Sequence, residues 1–310
     1  MGILLGLSAA LSWGLADFLA RFLTRRVGTL RTFLYMQVAG LFMLSLALPA
    51  LGGWGHLADG SGWRPWAWGA LAGSINAGAT LALYRSFEIG KFAIVAPISS
   101  SFPALTVLLS MAAGEKFAAG RGAGIVLTLI GVILAAAARE PAGTAPQAGA
   151  ETVAGSGQDG HVGAGAEAAV DAKNAGVLWA LVAAAGFGVL FWLLGFRVAP
   201  RVGAAAGVWI IRLTSMTIAF LAVLIARQPV RLRPVRLGWM VLGTGLFDTG
   251  AYVCNNLGVV LEQVSVVSVL ASLYGVVTVA LAAILLREKL AVRQWIGVLL
   301  IFVGIVLISK

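Results

Sequence analysis

The sequence predicts an all-α integral membrane protein of ten transmembrane helices, built as two inverted five-helix repeats around a central cavity. Composition, spacing and internal repetition each point there. Hydrophobic residues make up 60% of the 310 and charged residues 11%, against roughly 25% charged in an ordinary globular domain. So few charges cannot cover a water-facing surface. The apolar residues also fall into ten runs of about 20 residues, the length needed to cross about 30 Å of hydrocarbon at about 1.5 Å per residue. Features of the first five runs recur in the second five.

Spans one to five are read at 3–23, 32–51, 66–87, 92–114 and 122–138, and spans six to ten at 175–196, 202–226, 237–261, 263–286 and 294–309. Between them, 139–174 is rich in Ala and Gly with scattered acids and has no aromatic residue. It reads as a flexible linker, leaving repeats at 1–138 and 175–310. The run 3–16 resembles a signal-peptide core but has no basic residue before it and no small-residue cleavage site after it. It is read as a retained first span.

The net charge of +10 is spread over the ends of apolar runs, which argues for membrane anchoring and against nucleic-acid binding. Cys254 is the single cysteine, so an intramolecular disulfide is impossible, and it reads as a structural thiol.

The repeat rests on charged and glycine positions, because apolar matches between membrane helices carry little information. At an offset of 173, Ser99 meets Ser272, Glu115-Lys116 meets Glu288-Lys289, Gly124 meets Gly297 and Gly131 meets Gly304. Gly2 and Gly14 meet Gly176 and Gly188 at 174, and Arg26-Val27-Gly28 meets Arg201-Val202-Gly203 at 175. Five spans is an odd number, so the second copy starts on the opposite side of the bilayer. That inversion is the arrangement in which two halves alternate access to a central site.

Ser12-Trp13-Gly14 with Asp17-Phe18 and Arg21, the segment from Pro97 to Pro103, and Gly114-Glu115-Lys116 followed by Gly124 and Gly131 give the chain a recognisable pattern. Arg287-Glu288-Lys289 followed by Gly297 and Gly304 is its second copy. The pattern resembles the drug/metabolite transporter superfamily, in particular its ten-helix members with two EamA-type repeats. The resemblance implies a basket of helices around a cavity lined by helices one, three, four, six, eight and nine, exporting or exchanging metabolites. Two features depart from it. Leu270 and Val276 stand where the first half has Pro97 and Pro103, so a kink in span four need not recur in span nine, and the linker is long for this family.

An ionisable side chain inside a span costs at least about 2.5 kcal/mol unless it finds a partner or a wet cavity. Asp17, Arg212 and Asp248 are such residues. Asp17 and Arg21 are four apart, a spacing that allows a pair on one helix face, either structural or part of a site. Arg212 has no charged neighbour in its own helix and is expected to pair across the bundle with Asp248 or Asp17. Asp248, Tyr252 and Asn255 or Asn256 make a polar stripe expected to face the cavity, since facing lipid would leave those groups unsatisfied.

Asn76 and Tyr84 in span three, with Asn76 close to the repeat partner of Asp248, are further cavity candidates, as are Ser99 and Ser100 between the two prolines of span four and Ser272, their counterpart. Among the aromatic residues, Trp13, Phe187, Trp192 and Tyr274 lie on helices the resemblance assigns to the cavity, where ordinary packing is an equal alternative. Trp54, Trp63, Trp66 and Trp68 read as an interfacial belt. Gly124 and Gly131 read as a helix-packing seam, and Glu115 and Glu288 as turn caps beside Lys116 and Lys289.

No catalytic set, metal site or cofactor is expected. His56 and His161 fall in a loop and in the linker, and no convergent His, Cys, Asp or Glu group is apparent. The expected activity is secondary transport of a small metabolite or drug, amino acids among the candidates, across the inner (cytoplasmic) membrane by alternating access, with export or exchange. Protons through Asp17 or Asp248 are the candidate coupling ion, and no oligomer is required. The alternatives are a lipid-linked-sugar flippase of the same superfamily and a membrane-embedded enzyme. Orientation divides two arguments. Fifteen Lys and Arg follow odd-numbered spans and six lie on the other side, which puts the termini outside, whereas the resemblance puts them inside.

Overall fold

A computed structural model describes residues 1–51, 62–90, 95, 98–136, 162–230, 235–286 and 292–308. Every regular element among them is helical. The first half contains α1 (Gly2–Val27), α2 (Thr29–Ala47), α3 (Arg64–Ile89), α4 (Pro103–Ala112) and α5 (Ala119–Ala136). The second contains α6 (Val162–Leu193), α7 (Ala204–Ile225), α8 (Gly238–Leu261), α9 (Val264–Ala271), α10 (Tyr274–Leu286) and α11 (Val292–Ile308).

Among the described residues, four helical stretches are both long and apolar enough to cross a membrane: Gly2–Val27, Thr29–Ala47, Gly176–Val202 and Ala204–Ile225. Large apolar side chains lie on the outside while several polar ones lie within the core. Phe42, Leu178, Ile225, Leu299 and Phe302 are exposed, while Gln37, Asn76, Arg212, Asn255 and Asn256 are buried. Apolar surface turned outward with polar groups inside suits a hydrocarbon solvent.

Two joints have the same construction. α1 passes into α2 through Gly28 at φ 87°, and the helical stretch that follows α6 passes into α7 through Gly203 at φ 85°. A left-handed residue stops one helix and starts the next within a single position, and only glycine adopts it without a steric penalty. For this reason span one runs to Val27 and span six continues through a π-helical turn, Leu194–Val198, to Val202, beyond the ends expected from hydrophobicity.

α6 also begins earlier than expected, at Val162, so the last part of the segment read as a flexible linker is helical. Alanine is the strongest helix former, and six alanines stand between 162 and 175. The expected linker up to 161 lies outside the described residues.

Spans four and nine are both interrupted, although the second half has no proline at the positions of Pro97 and Pro103. In the first half the chain turns at 100–102 before α4 starts at Pro103, and in the second it turns at 272–273 between α9 and α10. Proline is not the common cause. Ser101 Oγ donates to the Ile98 carbonyl at 2.7 Å and Ser272 Oγ to the Val269 carbonyl at 2.7 Å, a back-bond three residues away that competes with the helical ladder. Pro97 lies outside the described residues.

The helices pair across the halves. α1 packs on α8 and α3 on α6; α1 packs on α9 and α10, and α4 on α6; α2 packs on α7, and α5 on α11. Each of these pairings maps onto another, or onto itself, when the halves are exchanged. The α5–α11 seam brings backbone close to backbone. A Cβ on Gly124 would stand 2.8 Å from the Gly304 carbonyl oxygen, and one on Gly131 2.7 Å from that of Gly297. As α5 runs from 124 to 131, α11 runs from 304 to 297, so the two are antiparallel.

At one end of the bundle Glu115 accepts a bond from the Ser265 backbone N–H at 3.4 Å and Arg121 pairs with Glu262 at 3.0 Å. Glu115 thus sits at the N-terminus of α9, where the helix dipole favours a carboxylate, and caps the other half instead of its own turn. Glu288 and Lys289 lie outside the described residues.

Candidate functional site

Pairs of residues four apart place the central side chains. Trp13 and Asp17 share a face of α1, Phe187 and Phe191 of α6, Asp248 and Tyr252 of α8, while Asn76, Thr80 and Tyr84 form a stripe on α3. A four-residue spacing stacks side chains on one helix face, and α1 meets α8 as α3 meets α6. The four stripes therefore converge. Phe102 and Tyr274 enter from the breaks in spans four and nine.

Between them lies a narrow cavity with about 400 Å³ of empty space in all, a figure that includes space open to the exterior. Its wall is largely aromatic. Trp13 meets Phe191 edge-on at 5.3 Å and Tyr252 at 5.0 Å, Phe102 meets Phe191 at 4.7 Å, and Tyr274 stacks on Phe102 at 6.4 Å between centroids.

Beside the cavity sits a buried ionic network. Arg212 of α7 is fully buried and forms an ion pair with Asp248. A second guanidinium nitrogen donates to Gln37 Oε1 of α2 at 2.8 Å. The guanidinium also stands over the Tyr252 ring, 5.0 Å from its centroid, in cation–π geometry. Asp248 accepts a further bond from Trp13 Nε1–H at 3.0 Å. The two formal charges cancel; a hydrogen bond to Asp248 holds Trp13 against this anchor and the cation–π contact with Arg212 holds Tyr252.

A neutral chain continues from it. Tyr252 donates to Asn76 Oδ1 at 2.6 Å, Asn76 Nδ2 donates to Ser215 Oγ at 3.0 Å, and Ser215 donates to the Gly73 carbonyl at 2.9 Å. It ties α8, α3 and α7 together behind the aromatic wall. Gly40 makes room for the anchor: a side chain there would run into Thr249 and reach within 3.5 Å of Arg212 Nε.

Asp17 differs from Asp248. It is only 7% exposed, lines the cavity, and among the described residues accepts no hydrogen bond and joins no ion pair. Arg21, one turn further on, does not pair with it.

The remaining expected residues take other places. Tyr84 lines the cavity and donates to Met36 Sδ at 2.9 Å. Ser99 lies behind the wall as the acceptor for Tyr274 Oη at 3.4 Å. Ser100 and Ser272 are buried in the broken helices. Asn255 is buried with neither side-chain polar atom bonded, away from the cavity lining. Trp192 stacks on Phe196 at 6.0 Å, also off the lining. Of the interfacial group, Trp63 is exposed, Trp66 packs on Trp209, and Trp68 lies under Arg197; Trp54 lies outside the described residues, as do His56 and His161.

Sequence reasoning missed Gln37, Thr80, Phe102, Phe191 and Ser215. Gln37 carried a signal, an amide in mid-span, and Phe191 another, its spacing from Phe187. Phe102 carried none, because an aromatic beside a proline is unremarkable in an apolar run.

The EamA-like transporter family model matches residues 1–137 and, a second time, residues 174–310. Curated protein sequences give no match. A solved structure described only as "Crystal structure of protein" superposes with a TM-score of 0.71 over 99% of this chain and 95% of that chain, at 19% identity. That likeness is one of fold.

Proposed function

The chain belongs to the EamA-like transporter family, and from that premise we propose that it is a secondary transporter working by alternating access. Membership makes it a multi-pass membrane transporter for small molecules, set in a lipid bilayer. The finer reading is that it moves a small metabolite or drug, amino acids included, across the cytoplasmic membrane as an exporter or exchanger. Its units are two inverted five-helix repeats, 1–138 and 175–310, joined by the intervening segment.

The observation that carries this reading is the cavity, whose wall draws on α1 and α3 from one half and on α6 and α8 from the other. A site shared by two halves changes sides when the halves rock. The antiparallel α5–α11 pair supports the inversion, since spans five and ten are repeat equivalents. Protons are the proposed coupling ion and Asp17 the proposed carrier, because Asp248 is already neutralised by Arg212. The titratable groups that line the cavity with Asp17 are Asp248, Tyr84, Tyr252 and Tyr274, with Arg212 behind them.

Purified protein in liposomes tests the reading against radiolabelled metabolites. Saturable flux of at least one solute, lost in Asp248→Asn, is expected. Chemical turnover without vectorial movement would replace transport with the membrane-enzyme alternative, and flux unaffected by a pH gradient would remove the proton.

A further inference from the structure

We propose that the central cavity takes an organic monocation, with the Asp17 carboxylate as its counter-ion and aromatic rings as its walls. This rests on the cavity being the transport site and narrows its cargo.

The argument is an inventory of what the wall has left to offer. Among the described residues five N–H or O–H donors lie on it, and each is engaged within the protein. Trp13 Nε1–H donates to Asp248, Tyr84 to Met36, Tyr252 to Asn76, Tyr274 to Ser99, and Thr80 to Asn76 at 3.4 Å. Asp248, the second carboxylate, accepts from both Arg212 and Trp13. Among the described residues the lining contains no Lys, Arg or His. What remains is one uncommitted carboxylate, more than nine-tenths buried and facing the cavity.

A cargo anion would meet acceptors and no available donor, and burying it unpaired is costly. A zwitterionic amino acid would satisfy its ammonium group and leave its carboxylate stranded. A cation fits on both counts: it neutralises Asp17, and aromatic faces attract positive charge when water is excluded. Repeat comparison sharpens the point. Trp13 and Asp17 correspond at an offset of 174 to Phe187 and Phe191, so the second half puts a ring where the first puts a charge. With Asp17 ionised and Asp248 balanced by Arg212, the lining named above has one carboxylate charge in excess.

Calorimetric binding to the purified full chain in detergent tests this with three ligands of similar size: phenyltrimethylammonium, benzyl alcohol and benzoate. The cation is expected to bind at least about tenfold more tightly than the alcohol, and benzoate not measurably. Asp17→Asn is expected to erase the preference and Asp17→Glu to keep it within about threefold. Equal binding of cation and alcohol by the unmodified chain would overturn the proposal, a comparison that needs no variant to fold. So would a preference that survives Asp17→Asn. The assay involves no flux. Asp17-dependent cation binding without movement in liposomes would sink the transport reading alone; flux of an uncharged solute without cation binding would sink this one alone.

Discussion

Arg212 is a guanidinium with no exposure, and its position is tolerable only because Asp248 and Gln37 meet it. Removing one member of a buried pair leaves an uncompensated charge, at a cost of about 3–5 kcal/mol. Arg212→Leu is therefore expected to lower thermal stability in detergent sharply, and Arg212→Leu with Asp248→Leu to recover most of the loss. Equal stability of the single and double variants would refute the pairing as an anchor. Tyr252→Phe removes one hydroxyl from the Asn76 chain and should cost about 1–2 kcal/mol, read by the same unfolding assay. At this scale the sequence announced that Arg212, Asp248 and Asp17 needed company, because charge in hydrocarbon is expensive wherever it lies. It did not say which would have it. The spacing of Asp17 and Arg21 favoured a pair within α1, yet Asp17 turns to the cavity.

At the scale of elements, glycine decides how closely helices approach. Gly131 faces the Gly297 carbonyl so closely that even a methyl group would touch backbone, and backbone cannot move aside as a flexible side chain can. Gly131→Leu should destabilise the α5–α11 seam by about 1–3 kcal/mol, while a leucine at Gly120, which has open space around it, should be near neutral. Unfolding temperatures of the two variants compare them directly.

The Arg121–Glu262 bridge, partly exposed at one end of the bundle, is a candidate latch between the halves. Bridges of this exposure contribute about 0.2–1 kcal/mol. Glu262→Gln should thus raise the reaction rate of a cysteine introduced by Ser265→Cys, in a Cys254→Ser background, by about two- to fivefold. An unchanged rate would mean that the latch does not limit opening there. The seam was readable from paired glycines seven residues apart in both halves. The latch was not, because Arg121 and Glu262 are joined only by the tertiary fold.

For the whole molecule, inversion makes a geometric demand. Gly28 and Gly203 are equivalent joints, so in inverted repeats they face opposite sides of the bilayer. Gly28→Cys and Gly203→Cys, each in a Cys254→Ser background, should react with a membrane-impermeant thiol reagent from opposite sides. Labelling of both from the same side would rule out the inverted arrangement, and the side that labels Gly28→Cys also settles the orientation that the charge count and the family resemblance dispute.

The sequence by itself determined that the chain is helical, that it belongs in a membrane and that it is doubled, because solvent, helix length and repetition are written in composition and spacing. It also narrowed the central residues to polar and aromatic positions four apart on a few spans. Tertiary structure alone decided that the breaks in spans four and nine bring Phe102 and Tyr274 to one wall. It decided that Arg212 chooses Asp248 over Asp17, leaving one carboxylate uncommitted. Those outcomes depend on how several helices are rotated against one another, and the rotation is fixed by glycine contacts and buried hydrogen bonds between residues more than a hundred positions apart in most cases.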